Sequence, residues 1–479
     1  MPLYVDDIQG ILLHGYGHLK HAAFLLLGIT EPGAARAWLS TLDVRNADFT
    51  RDEVDQSVNI AFTAPGLTRL GLDEAVLGEF STEFREGVAG TAHRQRILGD
   101  SGDSSPERWR WGGPRNPQPH VLLMLYARDG RALSALVNEH HARLATAGLE
   151  AIERLDTTWL PHDKEHFGFR DGVSRTGIDG FHRNTAPIDT IAPGEFVLGH
   201  RNAYGQYTHR PLLGREQDPH RILADAPDEP GRRDLGMNGS YLVFRQLSQD
   251  VATFWQFCAD KTRRTDGTSS PADRIRLASK MVGRWPGGAP LVKSPDADDP
   301  TLGRDNDFLY HGSGDAHGLK CPIGAHIRRT NPRDSLEPDP GSERSIDVGK
   351  RHRIIRRGRA YGPPAAASMD IDDILAAGDA PGERGLHFLC FNTHIGRQFE
   401  FIQHTWLNNP GFDGLYDDDD PIAGDRGSSH GKPAGTFTIQ ADPVRTRVTG
   451  IPRFVQVRGG GYFFLPGIRA LRFLASLKT

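Results

Sequence analysis

Cysteine is scarce in this chain of 479 residues. Its three cysteines, Cys258, Cys321 and Cys390, lie far apart and form no Cys-x-x-Cys pair. An odd count with this spacing excludes a disulfide framework and a thiolate zinc site. We therefore expect free thiols and a reducing, cytoplasmic environment.

Long apolar runs and a strong excess of one charge are also missing. The run at residues 22–27 is far too short to cross a bilayer, and the first ten residues show neither a signal-peptide pattern nor twin arginines. The 57 basic residues nearly balance the 61 acidic ones. We expect no membrane and no nucleic acid as partners.

The hydrophobic pattern of the first half predicts alternating strands and helices. The strand order with its interleaved helices (strand, helix, strand, strand, helix, strand) fits a ferredoxin-like α+β unit. The predicted elements are strands at residues 22–27, 58–63 and 121–126, and helices at 33–42, 66–72 and 131–147.

A second interrupted α+β pattern follows a loop-like passage at residues 185–234, which is rich in Pro, Gly and Arg. A boundary near residue 200 therefore divides the chain into domains 1–200 and 201–479. The predicted elements of the second half are strands at 241–244 and 386–391, and helices at 249–261, 271–282 and 397–406. Residues 290–305 and 413–432 are predicted to be irregular surface, and the acidic run 417–420 a solvated loop.

One candidate catalytic residue is Asp171, which lies on a Gly-flanked turn in residues 166–174. Such a turn can present a carboxylate to a cavity, but the residue alone fits a turn hydrogen bond to its own backbone. His162 and His166 lie four apart, but Pro161 and Gly168 argue against a shared helix face, so they are interpreted as ordinary histidines.

A candidate metal ligand is His326, which has small or apolar neighbours on one side and a dense run of arginines on the other. A neutral imidazole suits haem iron, and guanidinium groups suit haem carboxylates. A capped core histidine beside a basic loop is the simpler explanation of this segment alone.

Two later segments add further candidates. Strand alternation around Arg356 would point one arginine inward, where it needs an anionic partner, although a basic surface strand explains the pattern too. Leu386 and Phe388 share one strand face, and Glu400 lies between two phenylalanines. Core packing with a salt bridge is the alternative for this segment.

Taken together and in this order, these motifs resemble the dye-decolourising peroxidase family over nearly the whole chain. The most specific pieces are Gly-Phe-Arg-Asp-Gly at 168–172, Gly-Ala-His-Ile-Arg-Arg at 324–329 and Arg-Arg-Gly at 356–358. The resemblance implies two ferredoxin-like domains with antiparallel sheets and one haem b per chain held between them.

The resemblance also implies roles for individual residues. His326 falls on the iron ligand, Asp171 on the distal acid–base residue and Arg356 on the distal arginine. Arg333 falls on an arginine that binds a haem propionate. Leu386 and Phe388 match the distal wall, and Glu400 is assigned as the carboxylate behind His326.

The function implied is a peroxidase that reduces hydrogen peroxide and oxidises dyes, phenolics or other small-molecule reductants. Trp406 and Tyr416 are candidate electron relays, and homo-oligomer formation is left open. The alternatives are a haem carrier or iron-releasing protein, and a haem-free scaffold; neither needs an Asp–Arg pair.

Overall fold

The computed structural model describes residues 3–50, 54–182, 185–426 and 435–478, and its first half is built on an antiparallel sheet. The strands are β1 His21–Ile29, β2 Gln56–Phe62, β3 Val121–Ala127 and β4 Leu149–Asp156. They lie in the order β4-β1-β3-β2, which is the ferredoxin-like arrangement.

The second half repeats this arrangement. The order is β16-β10-β13-β11, with β12 also on β13, and the two halves join where Phe464 of β16 pairs with Phe62 of β2. The second-half strands are β10 Ser240–Gln249, β11 Ile355–Arg356, β12 Arg359–Tyr361, β13 Gly385–Asn392, β14 Gly435–Ile439, β15 Thr446–Ile451 and β16 Val455–Leu465. Between the halves lie β5 Gly177–Ile178, β6 Thr190–Ile191, β7 Leu212–Gly214, β8 Ala224–Asp225 and β9 Arg232–Asp234.

Helices cover the sheet and connect its strands. In chain order they are α1 Gly10–Leu13, α2 Pro32–Thr41, α3 Ala64–Leu70, α4 Glu74–Gly78, α5 Thr82–Glu86, α6 Ala92–Leu98, α7 Gly130–Arg143, α8 Val251–Lys261, α9 Pro271–Val282, α10 His326–Thr330, α11 Glu343–Lys350, α12 Ile371–Ala377 and α13 Ile468–Ala475. A helix with π-type hydrogen bonding spans Gly396–Glu400 and Ile402–Leu407.

Local sequence explains these elements. Strand β1 is apolar on both faces because successive side chains enter different cores, Leu25 with the helices on one side and Phe24 with the N-terminal segment on the other. Helix α7 begins where Asp129 accepts a hydrogen bond from Ala132 N, and it buries Leu133 and Val137 on one face.

The predicted α+β architecture with two ferredoxin-like units is confirmed. The passage 185–234 is less irregular than predicted, because β7, β9 and β8 form a small sheet there. Of the predicted irregular segment 413–432, residues 427–432 lie outside the described residues. None of the described helices is long and apolar enough to span a membrane.

Candidate active site

His326 is the first residue of α10, and a buried carboxylate fixes its ring. Its Nδ1 lies 3.1 Å from Oδ1 and 3.0 Å from Oδ2 of Asp420, whose side chain is fully buried. Asp420 Oδ1 also accepts from Ile422 N at 2.9 Å and from Ala423 N at 2.8 Å. An acceptor with no proton to give makes Nδ1 the donor, so the Nε2 lone pair is free to bind a metal.

The charge on Asp420 is stabilised despite its burial. Burial raises the pKa of Asp420, but the His326 ring, the Ala423 amide and the nearby Arg329 guanidinium outweigh it and hold the pKa below its usual value. The carboxylate that faces His326 is therefore ionised at neutral pH.

The prediction that Glu400 lies behind His326 was wrong. Glu400 Oε1 instead accepts from Arg94 Nη1 at 2.7 Å and from the Tyr462 hydroxyl at 2.8 Å, so it is a structural ion pair. The interpretation of residues 417–420 as a solvated loop was wrong too, because Asp418 and Asp420 are completely buried. Their spacing of two, just before an apolar segment, was the available signal for inward-facing carboxylates.

Arg329 holds the segment that carries Asp420. This fully buried guanidinium donates from Nη1 to the carbonyls of Trp406, at 2.6 Å, and Asn409, at 3.0 Å, and from Nη2 to the carbonyl of Asp418. Part of the arginine run after His326 is thus an internal brace, which the sequence did not reveal.

Asp171 and Arg356 form a second pair, in addition to His326 and Asp420. Arg356 Nη1 lies 3.5 Å from Asp171 Oδ1, and both side chains are nearly half exposed. The same Oδ1 accepts from Gly172 N at 2.7 Å, so the turn bond exists without consuming the carboxylate. Asp171 thus keeps a carboxylate oxygen, beside a guanidinium, for a small molecule.

The predicted alternation around Arg356 is present. Arg357 points to the opposite side, where it donates to the carbonyls of Ile11 and Leu12 at 3.1 Å. Arg356 itself pairs across the strands with Cys390. Directly opposed residues share a face of the sheet, so Arg356 lies on the face of β13 that also carries Leu386 and Phe388.

Leu386 and Phe388 lie on the same face of β13 as Cys390, the cross-strand partner of Arg356. Both are only partly buried, whereas their strand neighbours His387 and Leu389 are fully buried on the other face. Phe388 also packs against Phe399 of the core, with the ring centroids 6.3 Å apart.

The arginine cluster around Asn306 fits a haem carboxylate. Arg333 and Arg284 are both buried and both donate to Asn306 Oδ1, at 2.8 Å and 3.0 Å. Burial, followed by the charge of Arg333, lowers the pKa of Arg284 to about 10. In the described part of the chain, every acceptor found for these two guanidiniums is a neutral oxygen. Two buried cations with neutral partners suit propionate groups.

An apolar cluster connects the segment that carries His326 with the segment that carries Arg356. Ile323, just before His326, and Ile354, just before Arg356, pack with Phe401 and Leu415 around buried residues that include Trp406. Trp406 is core packing, with its ring 5.5 Å from that of Phe401. Of the candidate relays, only Tyr416 is largely exposed, at 81%.

Comparisons with known proteins place this geometry in context. No family model matches the chain. A multifunctional dye peroxidase of an Amycolatopsis species is 36% identical over 98% of this chain and 96% of its own length. A dye-decolorizing peroxidase of Mycena epipterygia is 31% identical over 99% of this chain and 87% of its own length.

Solved structures give the same result. The crystal structure of a decolorizing peroxidase from Auricularia auricula-judae superposes with a TM-score of 0.76 at 26% identity, over 99% of this chain and 100% of that one. An ancestral D-type dye-decolorizing peroxidase also gives 0.76 at 26% identity, over 98% and 99% of the two chains.

Proposed function

The chain belongs to the dye-decolorizing peroxidase family, and from this premise we propose that His326, Asp171 and Arg356 carry its reaction. It is a haem-dependent peroxidase that reduces hydrogen peroxide at the expense of dyes, phenolics or similar one-electron donors. The contact between Asp171 and Arg356 is the observation that carries the assignment, because neither haem transport nor scaffolding requires it.

The cofactor we propose is one haem b per chain. Nε2 of His326 would bind the iron, Arg333 and Arg284 would hold a propionate, and Leu386 and Phe388 would line the distal side. When bound, haem supplies the redox centre that passes electrons from the donors to peroxide.

Asp171 would act as the acid–base residue. It would accept a proton from one oxygen of hydrogen peroxide and return it to the other; with two electrons from the donors and two protons from solvent, both oxygens end as water. Arg356 stabilises the negative charge that develops as the O–O bond breaks.

The organisation of the chain follows from the same premise. We propose that residues 1–200 and 201–479 form two domains, which β1–β4 and β10–β16 support. The three buried, unpaired cysteines favour a cytoplasmic location.

The test uses the haem-loaded enzyme and hydrogen peroxide in stopped flow. Asp171→Ala and Arg356→Leu should each lower the rate constant for peroxide by at least about a hundredfold while the haem content is retained. Wild-type rates in both variants would refute the distal assignment. A wild-type protein that binds haem but turns over no dye would favour the haem-carrier alternative.

A further inference from the structure

Glu165 lies inside the turn that leads to Asp171. Residues 163–171 form a tight hairpin: Asp171 N donates to the Asp163 carbonyl at 2.7 Å, and Glu165 N donates to the Phe169 carbonyl at 2.9 Å. At the tip, Gly168 has a φ of +94°, which favours glycine. Asp171 is therefore placed by the shape of this hairpin.

The Glu165 side chain fastens the hairpin from within. Its Oε1 accepts from Phe169 N and its Oε2 from Phe167 N, both at 2.9 Å, and Oε2 also accepts from Gln249 Nε2 of β10 at 2.6 Å. On the other side of the backbone, the Phe167 ring packs on Phe254 at 4.6 Å. The carboxylate ties both strands of the hairpin to the main sheet.

No cation in the described residues pairs with this carboxylate. The ammonium of the adjacent Lys164 is directed to the Met369 carbonyl at 3.1 Å and to Asp370 at 3.5 Å. Burial raises the pKa of Glu165 to about 7, its three hydrogen bonds oppose the rise, and the negative charge of Asp171 adds to it. Glu165 thus changes charge near neutral pH, and its charge interacts with that of Asp171.

The surroundings can accommodate both charge states. Gln249 Oε1 is buried and has no hydrogen-bond partner among the described residues. A rotated Gln249 amide would present this oxygen to a protonated Glu165, because the amide offers a donor at one end and an acceptor at the other. The protonated acid would then donate to Gln249 and still accept from the two hairpin amides, but these two hydrogen bonds would lose the assistance of the negative charge.

We propose that Glu165 is a positioning residue for Asp171: its carboxylate holds the hairpin in the conformation that presents Asp171 to Arg356. This inference rests on the proposed function, since it assumes that Asp171 acts on peroxide. The residue acts through the backbone and through its charge, and it does not touch Arg356.

Glu165→Gln in the haem-loaded enzyme is the first test. The amide keeps the shape but carries a donor where the carboxylate accepts, so the peroxide rate constant should fall about tenfold. Haem content and the KM for the dye should stay at wild-type values. The wild-type rate should also fall as the pH drops from 8 to 6, because protonation of Glu165 weakens its hydrogen bonds to the hairpin, and this step should vanish in the variant.

Combining the variant with Asp171→Asn separates positioning from general damage. If Glu165 acts through Asp171, its substitution should cost little in the Asp171→Asn background. An equal loss in both backgrounds, or no loss in the single variant, would overturn the proposal. Wild-type activity of Asp171→Asn itself would instead refute the proposed function.

Hydrogen exchange supplies a readout that does not depend on activity. In the protein without added haem, the peptide covering residues 163–171 should exchange faster in Glu165→Gln than in wild type, because one of the two backbone amides that Glu165 binds loses its acceptor. Glu400→Gln removes a buried carboxylate elsewhere and serves as the control. Unchanged exchange at 163–171 in Glu165→Gln would also contradict the proposal.

Discussion

Replacing Asp420 by asparagine tests whether Asp420 is the carboxylate that supports His326 as the iron ligand. Oδ1 of Asp420 accepts from two backbone amides, so asparagine must keep its own Oδ1 there. Its Nδ2 then takes the place of Oδ2, 3.0 Å from His326 Nδ1, where two donors face each other. The His326 ring then keeps only the longer contact to Oδ1, at 3.1 Å, where a neutral oxygen already accepts from two amides, or it moves its proton to Nε2, and a protonated Nε2 cannot bind iron.

The expected size of the effect follows from this geometry. A hydrogen bond to a charged group is worth about 1.5–3 kcal/mol, and about 1.4 kcal/mol corresponds to a factor of ten. Asp420→Asn should therefore weaken haem binding by about 10- to 100-fold. It should also raise the reduction potential, because the imidazole loses electron density. Haem transfer to an acceptor globin measures the first effect, and a redox titration measures the second.

Glu400→Gln is the matched control, because Glu400 is a buried carboxylate in the same half of the chain with different partners. It should destabilise the fold without changing the reduction potential. The reasoning would be refuted if Asp420→Asn kept the wild-type potential and haem affinity, or if Glu400→Gln shifted the potential instead.

Three further predictions concern stability and cofactor retention. Burial lowers the pKa of His166 and His387 to about 4, so each contributes stability that is complete above pH 6.5 and is lost as the pH falls through 4; His387→Gln should remove about 3 kcal/mol of the acid dependence in urea unfolding, and an unchanged dependence would contradict this. Arg333→Leu should speed haem dissociation about tenfold, whereas a wild-type rate would exclude Arg333 as a propionate ligand. Arg329→Lys should lower the free energy of unfolding by about 2 kcal/mol, measured in urea, because one ammonium cannot reach three carbonyls; equal stability would show that the brace is dispensable.

Local sequence patterns were sufficient for the fold class. The apolar residues of β1 and the helical spacing of apolar residues in α7 reflect which faces are buried. Because buried positions are occupied by apolar residue types, this pattern can be identified in the sequence. The short strands β7–β9 were not predicted, because three-residue strands carry too few side chains for a pattern.

The candidate site was only partly predictable. His326, Asp171 and Arg356 stand in distinctive local motifs, and the structure brings Asp171 and Arg356 together across 185 residues. The partner of His326 was assigned wrongly because the residue that accepts from the second ring nitrogen is set by proximity in the folded structure. Asp420 lies 94 residues from His326, in a run of four aspartates that looks solvated from its composition alone.

The amino-acid sequence by itself determined the order of strands and helices, and it singled out His326, Asp171 and Arg356 as candidates, since each stands in a distinctive local motif. Only the tertiary structure decided which carboxylates are buried and what they contact. Asp420 meets His326, Glu400 meets Arg94, and Glu165 closes the hairpin before Asp171. A carboxylate's role is set by the donors around it, and the side-chain donors to Asp420 and Glu400 come from distant segments that only folding brings together.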